Sequence, residues 1–325
     1  MRDKMAVLPA TMQLNFGSLD DRLSSFRTAN FVVLPVPYDL TASYGSGMRN
    51  GPLAIIEASM HMELYDEELR TNTYKAGIHT LPLLEPTTLG PDEMIHRVYK
   101  ASEYIIKAKK TPVMIGGEHS ITLGMARALK KIYPNLSVLQ FDAHADMRDS
   151  YQDNPFNHAC IARRLSEICP VVQVGIRSLS DEEAKFLKQR SEAGSRKQGL
   201  RAKRPGDTSY CPVITYYASD MQNGFSAEDI CSRLTNEVFI TIDLDVFDPS
   251  IMPATGTPEP GGMGWYDVLG ILKTVASRKK VVGFDVVELS PIPGNIAPNF
   301  MAAKLVYRIM GYIQKNQKAK GKSKK

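Results

Sequence analysis

The chain has 325 residues, of which 43% are hydrophobic and 23% charged. This composition is typical of a globular protein, and the length fits one large α/β domain. A net charge of +5 first suggests a nucleic-acid partner, but much of the excess lies in "SRKQGLRAKRPGD" and in the tail "KNQKAKGKSKK". Neither run is interleaved with the aromatic residues that stack on bases, so we expect no nucleic-acid partner.

The sequence also argues against a membrane or secreted protein. No apolar run approaches the roughly 20 residues of a membrane span, and the N-terminal segment lacks a clean signal-peptide core. The four cysteines are widely spaced and form no Cys-x-x-Cys pair, so we expect free thiols. We therefore expect a cytoplasmic protein with no membrane partner.

Short β-branched runs alternate with helical patterns along the chain. The predicted strands are Phe31–Tyr38, Thr111–Gly117, Leu136–Asp142, Val171–Ile176, Val238–Asp245 and Lys280–Glu288. The predicted helices are Pro91–Lys110, Ile121–Tyr133, Asp181–Arg190, Ala227–Asn236, Tyr266–Ser277 and Phe300–Lys315. Alternation of this kind predicts a mostly parallel sheet covered by helices on both faces. We expect an N-terminal extension over residues 1–30, one domain over 31–315, and a basic, disordered tail over 316–325.

Potential metal ligands lie at the ends of four predicted strands, which is where open α/β sheets bind ligands. Alternate side chains of an extended strand point to the same side. The two-residue steps therefore predict that Asp142, His144 and Asp146 converge, and that Asp243 lies beside Asp245. The full set of candidates is His119, Asp142, His144, Asp146, Asp243, Asp245, Asp285 and Glu288.

Charge repulsion argues that the acids of this set hold cations. Two like charges about 4 Å apart repel by roughly 4 kcal/mol at an effective dielectric of 20. The repulsion among four aspartates in one crevice would thus be as large as the whole free energy of unfolding of a typical domain. Any single Asp is more simply a surface acid, but the set favours metal. Four Asp and two His suit a pair of borderline-hard divalent ions about 3.5–4 Å apart. We expect two Mn²⁺, with Zn²⁺, Ni²⁺ or Co²⁺ as alternatives, and a hydrolase.

Four motifs occur in an order that resembles the arginase/agmatinase (ureohydrolase) family. They are "GGEHS", "FDAHADMRD", "FNHACIARR" and "ITIDLDVFDPSIMPATGTPEPGG", and the resemblance runs from about Phe31 to Ile313. It implies a three-layer α/β/α sandwich with a mostly parallel sheet, a dimanganese centre and a homo-oligomer, either trimer or hexamer. In the implied centre one metal takes His119, Asp142, Asp146 and Asp243, and the other takes Asp142, His144, Asp243 and Asp245.

The resemblance also implies catalytic roles. His158 in "FNHAC" matches the family's proton-shuttling histidine, and Glu288 in "DVVELSP" matches the acid that accepts the substrate's guanidinium. Asp146 would accept a hydrogen bond from the attacking hydroxide and help to move its proton to the leaving amine. The implied reaction hydrolyses a guanidinium group to urea and a primary amine.

The substrate is less well defined. The segments "MRDSYQDNPFNHAC" and "YDLTASYGSGMRNGPLAIIEAS" are similar to those of agmatinases, which favours agmatine, its product putrescine and a place in polyamine biosynthesis. Guanidinobutyrate, N1-aminopropylagmatine, guanidine and arginine are alternatives. A non-catalytic scaffold is the rival hypothesis, although intact ligand positions count against it. The basic insertion around Ser195–Tyr210 is expected to be an exposed loop, with a regulatory role or an effect on substrate choice as the alternative.

Overall fold

A computed structural model describes residues 12–195, 210–221 and 224–322 of the chain. The predicted basic insertion falls almost wholly outside these residues, as do the start of the N-terminal extension and the end of the tail. Within the described ranges, no helix combines the length and apolarity that crossing a bilayer requires.

Eight parallel strands form the central sheet, in the order β4-β1-β5-β10-β9-β6-β7-β8. A separate antiparallel pair, β2 with β3, lies outside that sheet. The strands are β1 Phe31–Val36, β2 Tyr65–Asp66, β3 Thr71–Asn72, β4 Ile78–Thr80, β5 Thr111–Gly116, β6 Ser137–Phe141, β7 Val171–Ile176, β8 Val213–Tyr217, β9 Glu237–Asp243 and β10 Lys280–Val287.

Helices cover both faces of the sheet, because its central strands are apolar on both sides. Val33 and Leu139 belong to one buried cluster, while Val32 and Val138 belong to the other. The helices are α1 Asp21–Ser24, α2 Gly51–Ser59, α3 Pro91–Lys107, α4 Thr122–Ile132, α5 Ile161–Ser166, α6 Asp181–Ser195, α7 Ala218–Met221, α8 Ala227–Ser232, α9 Trp265–Arg278 and α10 Ala297–Lys322. Residues of α2, α8, α9 and α10 pack in the first cluster, and residues of α3, α4, α5 and α6 in the second. The predicted three-layer, single-domain α/β architecture is confirmed.

The sequence pattern missed the short elements. Strand β4 has only three residues, and most of β8 is only partly buried, since it is the last strand of the sheet. Helix α2 begins with Gly51 and Pro52, which favours a turn when read without tertiary context. Helix α10 continues to Lys322, beyond the end that its apolar spacing predicted at Lys315.

The described part of the N-terminal extension packs on the domain. Phe16 is fully buried in the first core cluster, and its backbone N–H donates to the hydroxyl of Thr80 at 3.0 Å. The backbone N–H of Gly17 donates to the hydroxyl of Ser59 at 2.8 Å. From Phe16 onward, the extension is therefore part of the packed structure.

Candidate metal centre

The four strands that precede the candidate ligands are neighbours in the sheet. Strands β5, β10, β9 and β6 lie side by side and all run in the same direction. Their carboxyl ends therefore meet at one edge, which brings together segments separated by more than a hundred residues in sequence.

One group of ligands surrounds His119. Its Nδ1 lies 3.2 Å from Oδ2 of Asp142 and 3.5 Å from Oδ2 of both Asp146 and Asp243. This nitrogen is buried and has no hydrogen-bond partner. The ligand atoms of His119, Asp142 and Asp146 all lie within 4.8 Å of one another, close enough to hold one ion.

A second group shares Asp142 with the first. It consists of Asp142, His144 and Asp245, again with ligand atoms within 4.8 Å of one another. Nδ1 of His144 lies 2.8 Å from Oδ2 of Asp245 and 3.8 Å from Oδ1 of Asp142. Asp243 links the groups, because its Oδ2 faces His119 and its Oδ1 accepts the backbone N–H of Asp245 at 2.9 Å. The structure thus brings all six predicted ligands together.

The predicted reason for this convergence was wrong. Strand β6 ends at Phe141 and strand β9 at Asp243, so most of the ligands lie on loops rather than on extended strands. Asp245 lies in a 3-10 turn over Leu244–Val246. Asp146 has a φ of 52°, in the left-handed region that non-glycine residues seldom adopt. Turn geometry and backbone strain, rather than strand alternation, aim these carboxylates.

Without a cation, the cluster has to bind protons. Burial and the neighbouring Asp142 raise the pKa of Asp146 to about 7. Burial, with the charges of Asp245 and Asp142, raises the pKa of Asp243 well above its usual value. For His144, burial opposes protonation, but Asp245 outweighs it and raises the pKa to about 11. Each raised pKa means that the site binds an additional proton. A pair of divalent ions would supply this positive charge instead.

Buried polar side chains orient the ligands from behind. Nε2 of His119 lies 2.8 Å from the hydroxyl of Thr241, which leaves Nδ1 facing the carboxylates. Gln140 donates to Oδ2 of Asp142 at 2.8 Å. Asp285 lies outside both ligand groups and instead accepts hydrogen bonds from Thr122, at 2.9 Å, and from Thr241.

Both predicted catalytic partners share a pocket of about 240 Å³ with the ligands. His158 and Glu288 line it together with His144, Asp146, Asp243 and Asp245. Glu288 follows β10 with a φ of 69° and accepts the backbone N–H of His119 at 2.5 Å. His158 begins a 3-10 turn over His158–Cys160. Burial lowers the pKa of His158 to about 4.

The donor set fits a pair of divalent ions. An imidazole nitrogen that is buried without a hydrogen-bond partner, facing three carboxylates, is expected at a metal ligand. Asp142 belongs to both ligand groups, as a bridging carboxylate would. Oxygen donors with two imidazoles favour a borderline-hard metal over a thiolate-seeking one.

Several residues at the site were not predicted. Gln140 on β6 and Thr241 on β9 each stand two positions before a ligand, and each is a polar residue inside an apolar run. That pattern could have identified them. Thr41 contacts His158 and donates to Glu118, and Glu183 and Arg148 line the pocket. No spacing in the sequence links Thr41 to His158.

Comparison with known proteins agrees with this geometry. The family model described as "Arginase family" matches residues 29–311. The N(1)-aminopropylagmatine ureohydrolase of Synechocystis sp. is 36% identical over 92% of this chain and 94% of its own length. The agmatinase of Pyrococcus horikoshii is 33% identical over 88% of this chain and 92% of its own. The crystal structure of agmatine ureohydrolase of Thermoplasma volcanium has a TM-score of 0.79 and 29% identity, covering 95% and 97% of the two chains.

The chain belongs to the arginase family. Proteins of this family are dinuclear metal enzymes, which agrees with the two carboxylate–imidazole groups that share Asp142. The predicted family, fold class and enzyme class, an agmatinase-like hydrolase acting on guanidino compounds, are confirmed.

Proposed function

We propose that the protein hydrolyses agmatine to putrescine and urea, with two Mn²⁺ ions held by the six residues of the cluster. The observation that carries the proposal is the shared carboxylate Asp142, which joins two ligand groups beside a pocket that Glu288 and His158 also line. One ion would be held by His119, Asp142, Asp146 and Asp243, and the other by Asp142, His144, Asp243 and Asp245. Such a pair supplies Lewis acidity that makes water a nucleophile near neutral pH.

Glu288 would hold the substrate's guanidinium group. Its carboxylate lines the pocket and is only 7% exposed, so a cation placed against it meets little competing water. Burial and the charge of Glu118 raise the pKa of Glu288 well above its usual value. A bound guanidinium reverses this effect, because a carboxylate and a planar cation form charge-assisted hydrogen bonds. The acid therefore favours a cationic substrate over a neutral one.

Asp146 and His158 would handle protons on either side of the reacting carbon. Asp146 would accept a proton from the attacking water and pass it to the nitrogen of the leaving amine. His158, on the pocket wall, would exchange protons with solvent. The balanced reaction converts the guanidinium and one water into urea and a primary ammonium ion.

An amine tail suits the rest of the pocket. Glu183 lines it. Arg148 also lines the pocket, but its guanidinium lies 3.9 Å from Glu183 and over the ring of Tyr151. Glu183 therefore offsets the charge of Arg148, so this part of the pocket does not repel an amine.

N1-aminopropylagmatine is the second candidate substrate. Curated relatives from Synechocystis sp. and Thermococcus kodakarensis, at 36% and 35% identity, carry the name N(1)-aminopropylagmatine ureohydrolase. This substrate shares the guanidinium with agmatine and adds a second cationic centre, so Glu288 would bind either one. Pocket length beyond Glu183 and Arg148 would decide between them.

We also propose a cytoplasmic homo-oligomer, either trimer or hexamer, that takes part in polyamine synthesis without a nucleic-acid or membrane partner. Cys160, Cys169 and Cys231 are buried and form no disulfide in the described part of the chain, as is usual in a reducing compartment. Tyr266, Ile296 and Phe300 expose large apolar side chains that an interface between copies would cover.

The deciding experiment measures urea release from agmatine, N1-aminopropylagmatine, guanidinobutyrate, guanidine and arginine, with metal analysis of the same preparation. We expect two metal ions per chain and the highest kcat/KM for agmatine. Glu288→Gln should lower kcat/KM by about 100-fold, roughly 2.7 kcal/mol, while the metal content stays at two. Two bound ions without turnover of any compound would instead support the scaffold hypothesis.

A further inference from the structure

A buried carboxylate outside the ligand set lies behind His158. Glu118 is fully buried and accepts hydrogen bonds from three donors. The backbone N–H of Thr41 donates to Oε2 at 2.6 Å, and the hydroxyls of Thr41 and Ser120 donate to Oε1 at 2.7 and 2.5 Å. The carboxyl oxygens of Glu118 thus act as acceptors in all three contacts.

The hydroxyl of Thr41 connects this carboxylate to His158. The same oxygen that donates to Glu118 lies 3.1 Å from the backbone N–H of His158 and 3.2 Å from its Nδ1. A hydroxyl has one proton and two lone pairs. Because the proton points to Glu118, both lone pairs are left to accept from His158, one from the backbone N–H and one from Nδ1.

We propose that Glu118 and Thr41 are positioning residues that hold His158 in its Nδ1–H tautomer, so that Nε2 is the nitrogen that exchanges protons in the pocket. This inference rests on the proposed function, in which His158 carries protons. Nε2 lies 3.5 Å from the hydroxyl of Ser43, another residue of the pocket wall. In the opposite tautomer, the Nδ1 and Thr41 lone pairs would face each other, and the basic nitrogen would point away from the substrate.

Close backbone packing at Gly117 brings Thr41 next to Glu118. Gly117 packs against Tyr38 so closely that an added Cβ would collide with the carbonyl oxygen of Tyr38. The next backbone N–H, that of Glu118, donates to the same oxygen at 2.7 Å. The segment after β1 is thereby tied to the end of β5, which places Thr41 directly over the Glu118 carboxylate.

The first test compares Thr41→Val with Thr41→Ser. Valine keeps the shape but removes the hydroxyl, whereas serine keeps the hydroxyl. We expect Thr41→Val to lower kcat by about 10-fold to 100-fold, up to the lower end of the roughly 100-fold to 10,000-fold that an acid–base group contributes, with KM within about 2-fold. Thr41→Ser should retain kcat within about 3-fold. Equal losses in the two variants, or a loss confined to KM, would contradict a role through His158.

A double-mutant cycle then asks whether Thr41 acts through His158. In a His158→Asn background, Thr41→Val should cause no further loss of kcat, because the group that it positions is already gone. A further loss as large as in the wild-type background would overturn the proposal and assign Thr41 a merely structural role.

The tautomer itself can be read without turnover. The intact protein, labelled with ¹⁵N-histidine and loaded with diamagnetic Zn²⁺, should show the His158 resonances with Nδ1 protonated and Nε2 unprotonated. The spectrum of His158→Asn identifies them. A protonated Nε2 with an unprotonated Nδ1 would refute the proposal that Glu118 and Thr41 hold the Nδ1–H tautomer, even if every guanidino compound were hydrolysed. If the protein showed the predicted tautomer but released no urea, the positioning role of Glu118 and Thr41 would be supported and the proposed function would be contradicted.

Discussion

His119 and His158 are held by the same kind of contact, but the contact engages opposite nitrogens of the two rings. Each imidazole contacts a threonine hydroxyl, Thr241 at 2.8 Å or Thr41 at 3.2 Å, and behind each hydroxyl lies a buried carboxylate, Asp285 or Glu118. The contacts engage different nitrogens, however. His119 is held at Nε2 and His158 at Nδ1.

What the free nitrogen faces then decides the chemistry. Nδ1 of His119 meets three carboxylates, whereas Nε2 of His158 meets a hydroxyl and the pocket. For His119, burial opposes protonation but the carboxylates raise the pKa well above the usual value. For His158, burial prevails and lowers the pKa to about 4. A nitrogen that faces three carboxylates suits a metal ligand, whereas a nitrogen that faces the pocket can exchange protons.

The largest effect is expected when one of the carboxylates that face His119 is neutralised. Asp243→Asn should abolish stoichiometric binding of two ions and lower kcat/KM by more than about 1,000-fold, since a dinuclear centre loses a shared carboxylate. The metal-free variant should also melt at a higher temperature than the metal-free wild type, because a buried repulsion is removed. Metal analysis, urea assays and thermal melts measure these effects. Full activity of the metal-stripped variant would contradict the whole assignment.

The second prediction concerns pH and the metal-free protein. The raised pKa values of the buried acids mean that the folded state keeps protons that the unfolded chain releases. Stability should therefore fall as pH rises from about 4 to about 7. The rise in the pKa of Asp146 from 3.8 to about 7 alone corresponds to about 4 kcal/mol.

Lowering of the His158 pKa opposes this trend between about pH 4 and 6.5, but it is one group against several. Melting temperatures in a chelator at pH 5 and pH 8 test the sign. Added Mn²⁺ should remove most of the difference. A metal-free protein that is more stable at pH 8 would show that the carboxylates do not repel one another as their positions indicate.

A smaller effect is expected behind His119. Thr241→Val should weaken metal binding by about 10-fold to 100-fold, as loss of a group that orients a ligand does. At saturating metal, kcat should recover to near the wild-type value. Calorimetric titration with Mn²⁺ gives the affinity. A lowered kcat at full metal occupancy would mean that Thr241 acts on the reaction itself and not only on the orientation of His119.

The smallest effect is expected on the pocket side of His158. Ser43→Ala should change kcat by less than about 3-fold, because the contact is 3.5 Å long and water can replace the hydroxyl. Comparison with Thr41→Val separates the nitrogen that is positioned from the nitrogen that exchanges protons. A larger loss in Ser43→Ala than in Thr41→Val would reverse that assignment.

Much of the site could be predicted because its metal ligands and catalytic residues lie in short sequence motifs. His119, Asp142, Asp243 and Glu288 all lie at or just after the ends of buried strands, and repulsion among such acids is by itself a reason to expect cations. The order of strands in the sheet, and the partners that orient the ligands, could not be predicted. These depend on contacts such as that of Thr41 with His158, which are 117 residues apart.

By itself, the sequence determined the fold class, the six candidate ligands and the family, since apolar periodicity and motif order are local properties. Only the tertiary structure decided how the ligands converge. Strands β6 and β9 end before most of them, and the left-handed backbone of Asp146 turns its carboxylate into the cluster. For His119 and His158, the ring nitrogen that stays available was likewise decided by a distant hydroxyl, because a ring nitrogen takes its role from the partner of the other nitrogen.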